Sequence, residues 1–245
     1  KTRNLALRVE KAVEFEESGE TPDVPDDFSF ARFDDARLRR RHDAHLEAIR
    51  GRPGISTRTI KAAVDWRLAV GLGRASVYEN GITLDATDGM PYVPGSGLKG
   101  ALRTFLINAV YRPAIDGPVS EGDAEDKALH DPAFCDLFGA PADEDSFYDE
   151  ARQGQVAFHD AYPSPSPMPQ VKADIMNPHF QDYYQGGVPP TDDMNPTIIP
   201  FLTVTRAQFT FAVSTQQNDL SADSTLVKET PDEQSGTQLA LTEYW

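Results

Sequence analysis

The chain has 245 residues, 39% of them hydrophobic and 25% charged, an ordinary composition for a globular protein with a sizeable buried core. Its 23 Lys+Arg and 39 Asp+Glu leave a formal charge of −16, which argues against a free-standing nucleic-acid binder, since phosphate neutralisation supplies most of such affinity. No run of about 18 apolar residues occurs, which excludes a membrane-spanning helix, and the single cysteine, Cys135, excludes an intramolecular disulfide framework or a CxxC metal site and fits a reducing, cytoplasmic setting.

The N-terminus, Lys1-Thr2-Arg3-Asn4, has no apolar stretch behind it, so it reads as no signal peptide; without an initiator Met, a trimmed chain is expected. The charge is uneven. Residues 1–112 carry +2 and residues 113–245 carry −18, while 32–74 hold 11 basic and 5 acidic residues, a local +6. That asymmetry allows a basic surface on the first half, or a subunit that meets nucleic acid only within a larger assembly. Residues 14–30, acidic with Gly and Pro, read as an arm. A helix is predicted from about Asp34 to Arg50, with Leu38, His42, His45, Leu46 and Ile49 on one face and Arg37, Arg39, Arg40 and Arg41 as a solvated decoration.

The strongest strand pattern follows. Ile60, Ala62, Val64, Trp66, Leu68 and Val70 take every second position, which predicts one buried face with Trp66 in the core. Asn80-Gly81 between Val77-Tyr78 and Ile82-Thr83-Leu84 predicts a short hairpin. Leu98, Ala101, Leu102, Phe105, Leu106, Ala109 and Val110 recur at helical spacing, so an amphipathic helix is predicted from about Gly97 to Tyr111, N-capped by Ser96 and with its stripe against a core. Lys99 and Arg103, four apart, share another face. Residues 113–131 read as a polar loop, Pro132 to Phe138 as a short helix closed by Gly139, and 141–151 as an acidic loop. Strands are predicted at Gly154–Asp160, around Val171, Ala173 and Ile175, at Thr197–Val204 and at Arg206–Val213. The proline-rich stretch from Pro163 to Pro169 is an extended crossing. The stretch from Asn177 to Pro196 is a long loop, 214–234 a polar segment, and Gln238 to Tyr244 the start of a helix.

Stripped of its inserts, this order approximates strand–helix–strand–strand–helix, one strand short of a ferredoxin-like βαββαβ unit. The domain expectation is an N-terminal acidic arm and helix at 1–54, then a single domain at 55–245 with insertions at about 113–153 and 161–197.

Several local patterns then converge. They are Gly71 to Glu79, Pro91 to Arg103 with its Pro94-Gly95-Ser96-Gly97-Leu98-Lys99-Gly100-Ala101-Leu102-Arg103 element, Leu137-Phe138-Gly139, Gly154 to Pro163, Asp174-Ile175-Met176-Asn177-Pro178-His179-Phe180, Tyr183-Tyr184 and Pro200-Phe201-Leu202. On these residues, from about 60 to 245, the sequence resembles the RAMP superfamily of CRISPR-associated RNA-binding proteins. Within it, the sequence is similar to the sixth, RAMP-type subunits of type III-B (Cmr) effector complexes. Two departures stand out. The family pattern usually has Ser where Gly97 stands, and the C-terminal glycine-rich loop and last strand are expected to be missing from this chain.

The resemblance implies an α+β, ferredoxin-like (RRM-like) RAMP fold. It implies a non-catalytic architectural subunit in antiviral defence that holds the 3′ part of the guide RNA (crRNA) near target RNA. The implied protein partners are other Cmr subunits, especially a neighbouring backbone RAMP subunit and the small helical subunit; no cofactor, metal or membrane is implied. In this family, target cleavage is attributed to the backbone subunit and signalling to the large polymerase-like subunit.

On the residues alone, Lys99 and Arg103 are an ordinary solvated helix face. With the resemblance they become RNA-binding candidates beside Gly95, Ser96 and Gly97, whose helix start offers backbone N–H groups to phosphate. Arg58, Lys61, Arg67 and Arg74 join them from the strand and the Gly-x-Gly turn, and His179 as a group that shapes a loop or stacks on a base. The aromatic stacking pair of an RRM is not evident on the strand. Tyr183 and Tyr184 are assigned to a subunit interface. His159, Asp160, Asp174 and His179 match no metal-ligand spacing and are read first as structural. Asp160, Asp174 or His179 serving as acid or base would make the chain a RAMP endoribonuclease instead. A protein-only scaffold without RNA contact is the third reading.

Overall fold

The computed structural model describes residues 4–11, 27–28, 35–78, 80–113, 117–142, 146–177, 186, 189 and 198–216. These fall into two compact units, each assembled from separate stretches of chain: 1–47, 59–94 and 160–211 in the first, and 48–58, 95–159 and 212–245 in the second.

The first unit opens with a short helix, α1 (Leu5–Glu10), which the sequence reading missed. Asn4 caps it: Oδ1 accepts the Leu7 N–H at 3.1 Å, while Nδ2 donates to the carbonyls of Ala86 and Thr87 at 2.9 and 3.0 Å. Leu5, Ala6 and Val9 are thereby carried into a core with Met90, Leu202 and Phe209. The helix α2 spans Asp35–Arg50, matching the prediction within a residue. A sheet in the order β1-β7-β8 joins β1 (Asp27–Phe28), β7 (Gln170–Met176) and β8 (Ile199–Thr205). β7 and β8 run antiparallel from Gln170↔Thr205 to Met176↔Ile199.

The strand predicted over Thr59–Val70 is divided. β2 covers Ile55–Ala63 and pairs with β9 (Gln208–Gln216), which β6 (Tyr162–Pro163) also joins at Thr210 and Phe209; the chain then bends at Asp65–Trp66, and Leu68 makes an isolated bridge to Val204. The expected burial is inverted on β2. Ile55, Thr57 and Thr59 are half-buried, whereas Ile60 is 71% exposed, and beyond the bend Trp66 is 76% exposed. Only Val64 and Leu68, after β2, pack on the core as predicted. Alternation in sequence separates two faces; it does not say which one the rest of the protein covers.

The hairpin predicted at Asn80-Gly81 is also corrected. The Thr83 N–H donates to the Val70 carbonyl at 2.8 Å and the Gly81 N–H to the Leu72 carbonyl at 3.2 Å, so 81–84 runs beside 70–72. Gly81 is required by proximity: a Cβ there would stand 2.8 Å from the Arg74 Cβ and 2.9 Å from the Gly71 carbonyl oxygen.

In the second unit, α3 spans Gly95–Leu106 and passes into a π-helical turn at Ile107–Tyr111, closed by the Arg112 N–H on the Ile107 carbonyl at 3.1 Å. Residues 113–131, read as loop, contain α4 (Glu121–Leu129). Ser120 caps it, Glu121 and Asp123 favour its positive end, and its small Ala124 and Ala128 are fully buried. Alanines carry little weight in a hydrophobic-pattern reading, so the polar majority prevailed there. α5 (Pro132–Phe138) is as predicted, with Asp131 as its N-cap and Gly139 turning the chain at φ +90°. β3 (Gly139–Ala140) pairs with β4 (Arg152–Gln153), and β5 (Ala157–Phe158) pairs with the end of β9 at Ser214 and Val213. The strand predicted at Gly154–Asp160 thus shrinks to two residues, although Val156 and Phe158 do pack inward. The core gathers Leu106, Ile107, Ala124, Phe134, Leu137 and Phe138, with Phe138 stacked on Phe158 at 6.1 Å. Cys135 is fully buried and its thiol is pushed up by burial. The stripe of α3 is only partly covered: Leu106 is buried, Phe105 is 60% exposed. Most of the predicted long loop after Asn177, the segment from 217 to 234 and the C-terminal helix start lie outside the described residues.

Candidate nucleic-acid interface

In the second unit, the helix start differs from the sequence reading by two positions. α3 begins at Gly95, so Ser96 lies inside the first turn and is not its cap. Gly95 is buried against the β5 backbone, where a Cβ would meet the Phe158 carbonyl oxygen. Ser96 and Gly97 are exposed, and a Cβ at Gly97 would meet nothing within 4 Å. Their N–H groups belong to the first turn, which lacks intrahelical acceptors. Lys99 follows, half-buried and with no ion-pair partner among the described residues. Arg103 is differently placed. Its Nη2 lies 2.7 Å from the Glu125 carboxylate and its guanidinium 5.5 Å from the Phe134 ring centre, so it ties α3 to α4 and α5. Arg58, on β2, is exposed.

In the first unit, Lys61 is exposed. Arg67 is committed to its own protein: Nη1 donates to the Ala173 carbonyl at 2.9 Å and lies 3.2 Å from the Asp174 carboxylate. Arg74 is exposed, at the end of a turn in which its N–H donates to the Gly71 carbonyl at 3.0 Å. Gly71 adopts φ +87°, and a side chain there would also press on Thr83, so the Gly-x-Gly pattern is explained by the turn itself. Trp66, assigned to the core by its spacing, is instead an exposed aromatic with the Arg67 guanidinium 5.7 Å from its ring centre. No pattern within the strand distinguished it from Val64 and Leu68, which pack on the core.

The described titratable groups considered for catalysis make structural contacts. His159 Nε2 lies 2.7 Å from the Ser214 hydroxyl, and Asp174 faces Arg67. Asp160 is exposed, its carbonyl 3.1 Å from His45 Nε2. His179, Tyr183 and Tyr184 lie outside the described residues. His42 Nε2 lies 3.1 Å from the Thr210 hydroxyl, in keeping with packing. Arg41, predicted as solvated, forks onto Asp85 and Asp88 beside a cavity of about 70 Å³ lined also by His42, His45, Met90 and Tyr162. Its partners lie more than forty positions along the chain, beyond the reach of helical periodicity. Among the described residues no group of three or more His, Cys, Asp or Glu could hold a metal ion, and no helix is long and apolar enough to cross a membrane.

Comparison with known proteins bears on these surfaces. The CRISPR system Cmr subunit Cmr6 of Pyrococcus furiosus is 33% identical over 192 residues, which is 63% of this chain and 56% of that protein, so the chain spans little more than half of this relative. A chain in the cryo-EM structure of the type III-B Cmr-beta bound to cognate target RNA is 21% identical, with a TM-score of 0.53 over 78% of this chain and 58% of that one, which shows a shared fold. The crystal structure of Cmr6 from Pyrococcus furiosus is 27% identical over 68% of this chain and 86% of that one, with a TM-score of 0.38. The model of the RAMP superfamily matches residues 66–237, from the exposed Trp66 through the α3 start to beyond β9. That span is well over half of the sequence: the chain belongs to the RAMP superfamily, and its mixture of helices and antiparallel sheets is a RAMP fold.

Proposed function

We propose that the chain is a non-catalytic, RNA-binding architectural subunit of a type III-B CRISPR (Cmr) effector, holding the 3′ part of the guide RNA. The observation that carries this reading is Lys99, with no ion-pair partner among the described residues, one turn into a helix whose first turn holds the exposed Ser96 and Gly97, within the segment matched to the family. Such an arrangement suits a phosphate: the amides and the helix dipole favour an anion and the ammonium neutralises it. Arg74, Lys61 and Arg58 are further exposed cations. Contacts of this kind position the backbone and leave bases free to pair with target RNA. An acidic chain can do this as part of an assembly, because only the local charge meets the guide. Arg67 and Arg103 hold the fold together, and their loss acts through structure. The likeness to Cmr6 supports partners among the other Cmr subunits; we further take these to be the backbone RAMP subunit and the small helical subunit, in the cytoplasm.

The test is RNA crosslinking with mass spectrometry on the chain co-expressed with the other Cmr subunits and a guide RNA. Crosslinks are expected at Lys99 and Arg74. Lys99→Ala and Arg74→Ala should each lower the slope of log affinity against log salt by about 1. Stable assembly with no crosslink anywhere in 58–103 sinks the proposal in favour of a protein-only scaffold. RNA cleavage by the isolated chain, lost in Asp160→Ala or Asp174→Ala, sinks it in favour of an endoribonuclease.

A further inference from the structure

From the exposure and setting of Trp66, we infer that its indole is a stacking platform for an unpaired base of single-stranded RNA, a specific contact that rests on the RNA-binding reading above. At 76% exposed, Trp66 is the most exposed large hydrophobic side chain among the described residues. Its setting fits a nucleobase. The Arg67 guanidinium lies 5.7 Å from the ring centre, and it is itself held by the Ala173 carbonyl at 2.9 Å, the Asp174 carboxylate at 3.2 Å and the Thr203 hydroxyl at 3.5 Å. An arginine with that many fixed partners cannot swing away, so it braces the indole and reduces the freedom lost when a base stacks on it.

The flanking sequence carries a small excess of positive charge, which the Asp174 partner of Arg67 reduces. From 59 to 74 the chain carries Lys61, Arg67 and Arg74 against Asp65 alone, a local +2 in a chain of −16. Lys61 and Arg74 are exposed. Ile175, exposed on β7, projects from the opposite face to Asp174, while Met176, 42% exposed, lies on the Asp174 face. A protein interface is built on a contiguous apolar centre, whereas a base needs one open aromatic face and a cation for its phosphate. Stacking is indifferent to base identity, because every base has a π face; the platform would hold one unpaired nucleotide without reading it.

The experiment uses the full chain carrying Trp245→Phe, so that Trp66 is its sole tryptophan. A 12-nucleotide single-stranded RNA of mixed sequence is titrated in, with affinity read by anisotropy and stacking by indole emission. Quenching is expected, with roughly five- to hundredfold weaker binding in Trp66→Ala, near-complete rescue in Trp66→Phe, and an unchanged salt slope. RNA binding with unaltered emission and no loss in Trp66→Ala overturns the platform but leaves the guide-holding proposal standing. Emission that responds to the other Cmr subunits and not to RNA overturns the platform in favour of a protein contact. Absence of RNA binding, both to the isolated chain and within the assembled complex, overturns both.

Discussion

Gly95→Ala is expected to lower the melting temperature by about 6–12 °C, the shift that a loss of about 3 kcal/mol produces in a chain of this size. The reason is proximity. Gly95 has no positive φ to protect, but its Cβ would press on the Phe158 carbonyl oxygen and stand 2.8 Å from the Phe158 carbonyl carbon and 3.0 Å from that of His159. All three atoms are backbone and cannot rotate aside, so either α3 or β5 must shift. Gly97→Ala, two residues on, is the control. Nothing lies within 4 Å of its added methyl, and alanine favours a helix by about 0.5–1 kcal/mol over glycine, so a small rise is expected. Thermal melts of both variants decide the matter; equal shifts would show that the close approach at Gly95 does not govern stability.

Arg41→Ala is the second substitution expected to act strongly, at about 2–3 kcal/mol by denaturant titration. The Arg41 guanidinium approaches the Asp85 carboxylate at 2.6 and 3.0 Å, also binds Asp88, and lies 5.3 Å from the Tyr162 ring centre. The two carboxylate side chains are 13% and 10% exposed, so removing the cation strands two poorly solvated charges. The guanidinium is 36% exposed, which keeps the loss below that of a fully buried network. Arg41→Lys should recover part of it but not the fork.

The same cluster sets an acid response. Burial pushes the Asp85 carboxyl up, but the Arg41 guanidinium and the N–H groups of Asp88 and Thr87 outweigh it and hold the group below its ordinary 3.8. A carboxyl depressed in the folded state stabilises above its unfolded value, and that contribution fades as pH falls through the depressed one. The wild-type chain should therefore lose stability from about pH 4 downward. Arg41→Ala should lose less over that window, because the remaining half-buried carboxyl then prefers its proton. Identical acid limbs would argue against the cluster's role.

What could be read from the residues depended on how local the cause was. α2 and α5, and the cores of β7, β8 and β9, are fixed by spacing and punctuation within a few positions, and they stand where the sequence places them. α4 escaped because two alanines can face a core without making an apolar pattern. The outward turn of Ile60 and Trp66 escaped because burial depends on what covers a face, and cover comes from distant segments. For the interface, motif resemblance drew attention to Lys99, Arg74 and the α3 start, but it could not separate cations with partners from cations without. Glu125 holds Arg103, and Asp174 holds Arg67, through contacts made 22 and 107 positions away along the chain. Trp66 shows the converse: a residue discounted for its pattern gains interest from its exposure.

The π-helical turn at Ile107–Tyr111 carries a historical implication. Leu102 and Leu106, four apart, face the core, as does Ile107; Tyr111, five beyond Leu106, anchors the far end of the turn, with its hydroxyl donating to Asp131 at 2.8 Å and its ring edge-on to Phe134. Such a widened turn is what a single inserted residue leaves behind when the anchors on either side hold their places. Asn108, Ala109 and Val110 are all exposed, so any of them could be the extra one. Relatives that lack the turn should be one residue shorter here, and an alignment that closes that gap by sliding Tyr111 would misplace every anchor after it.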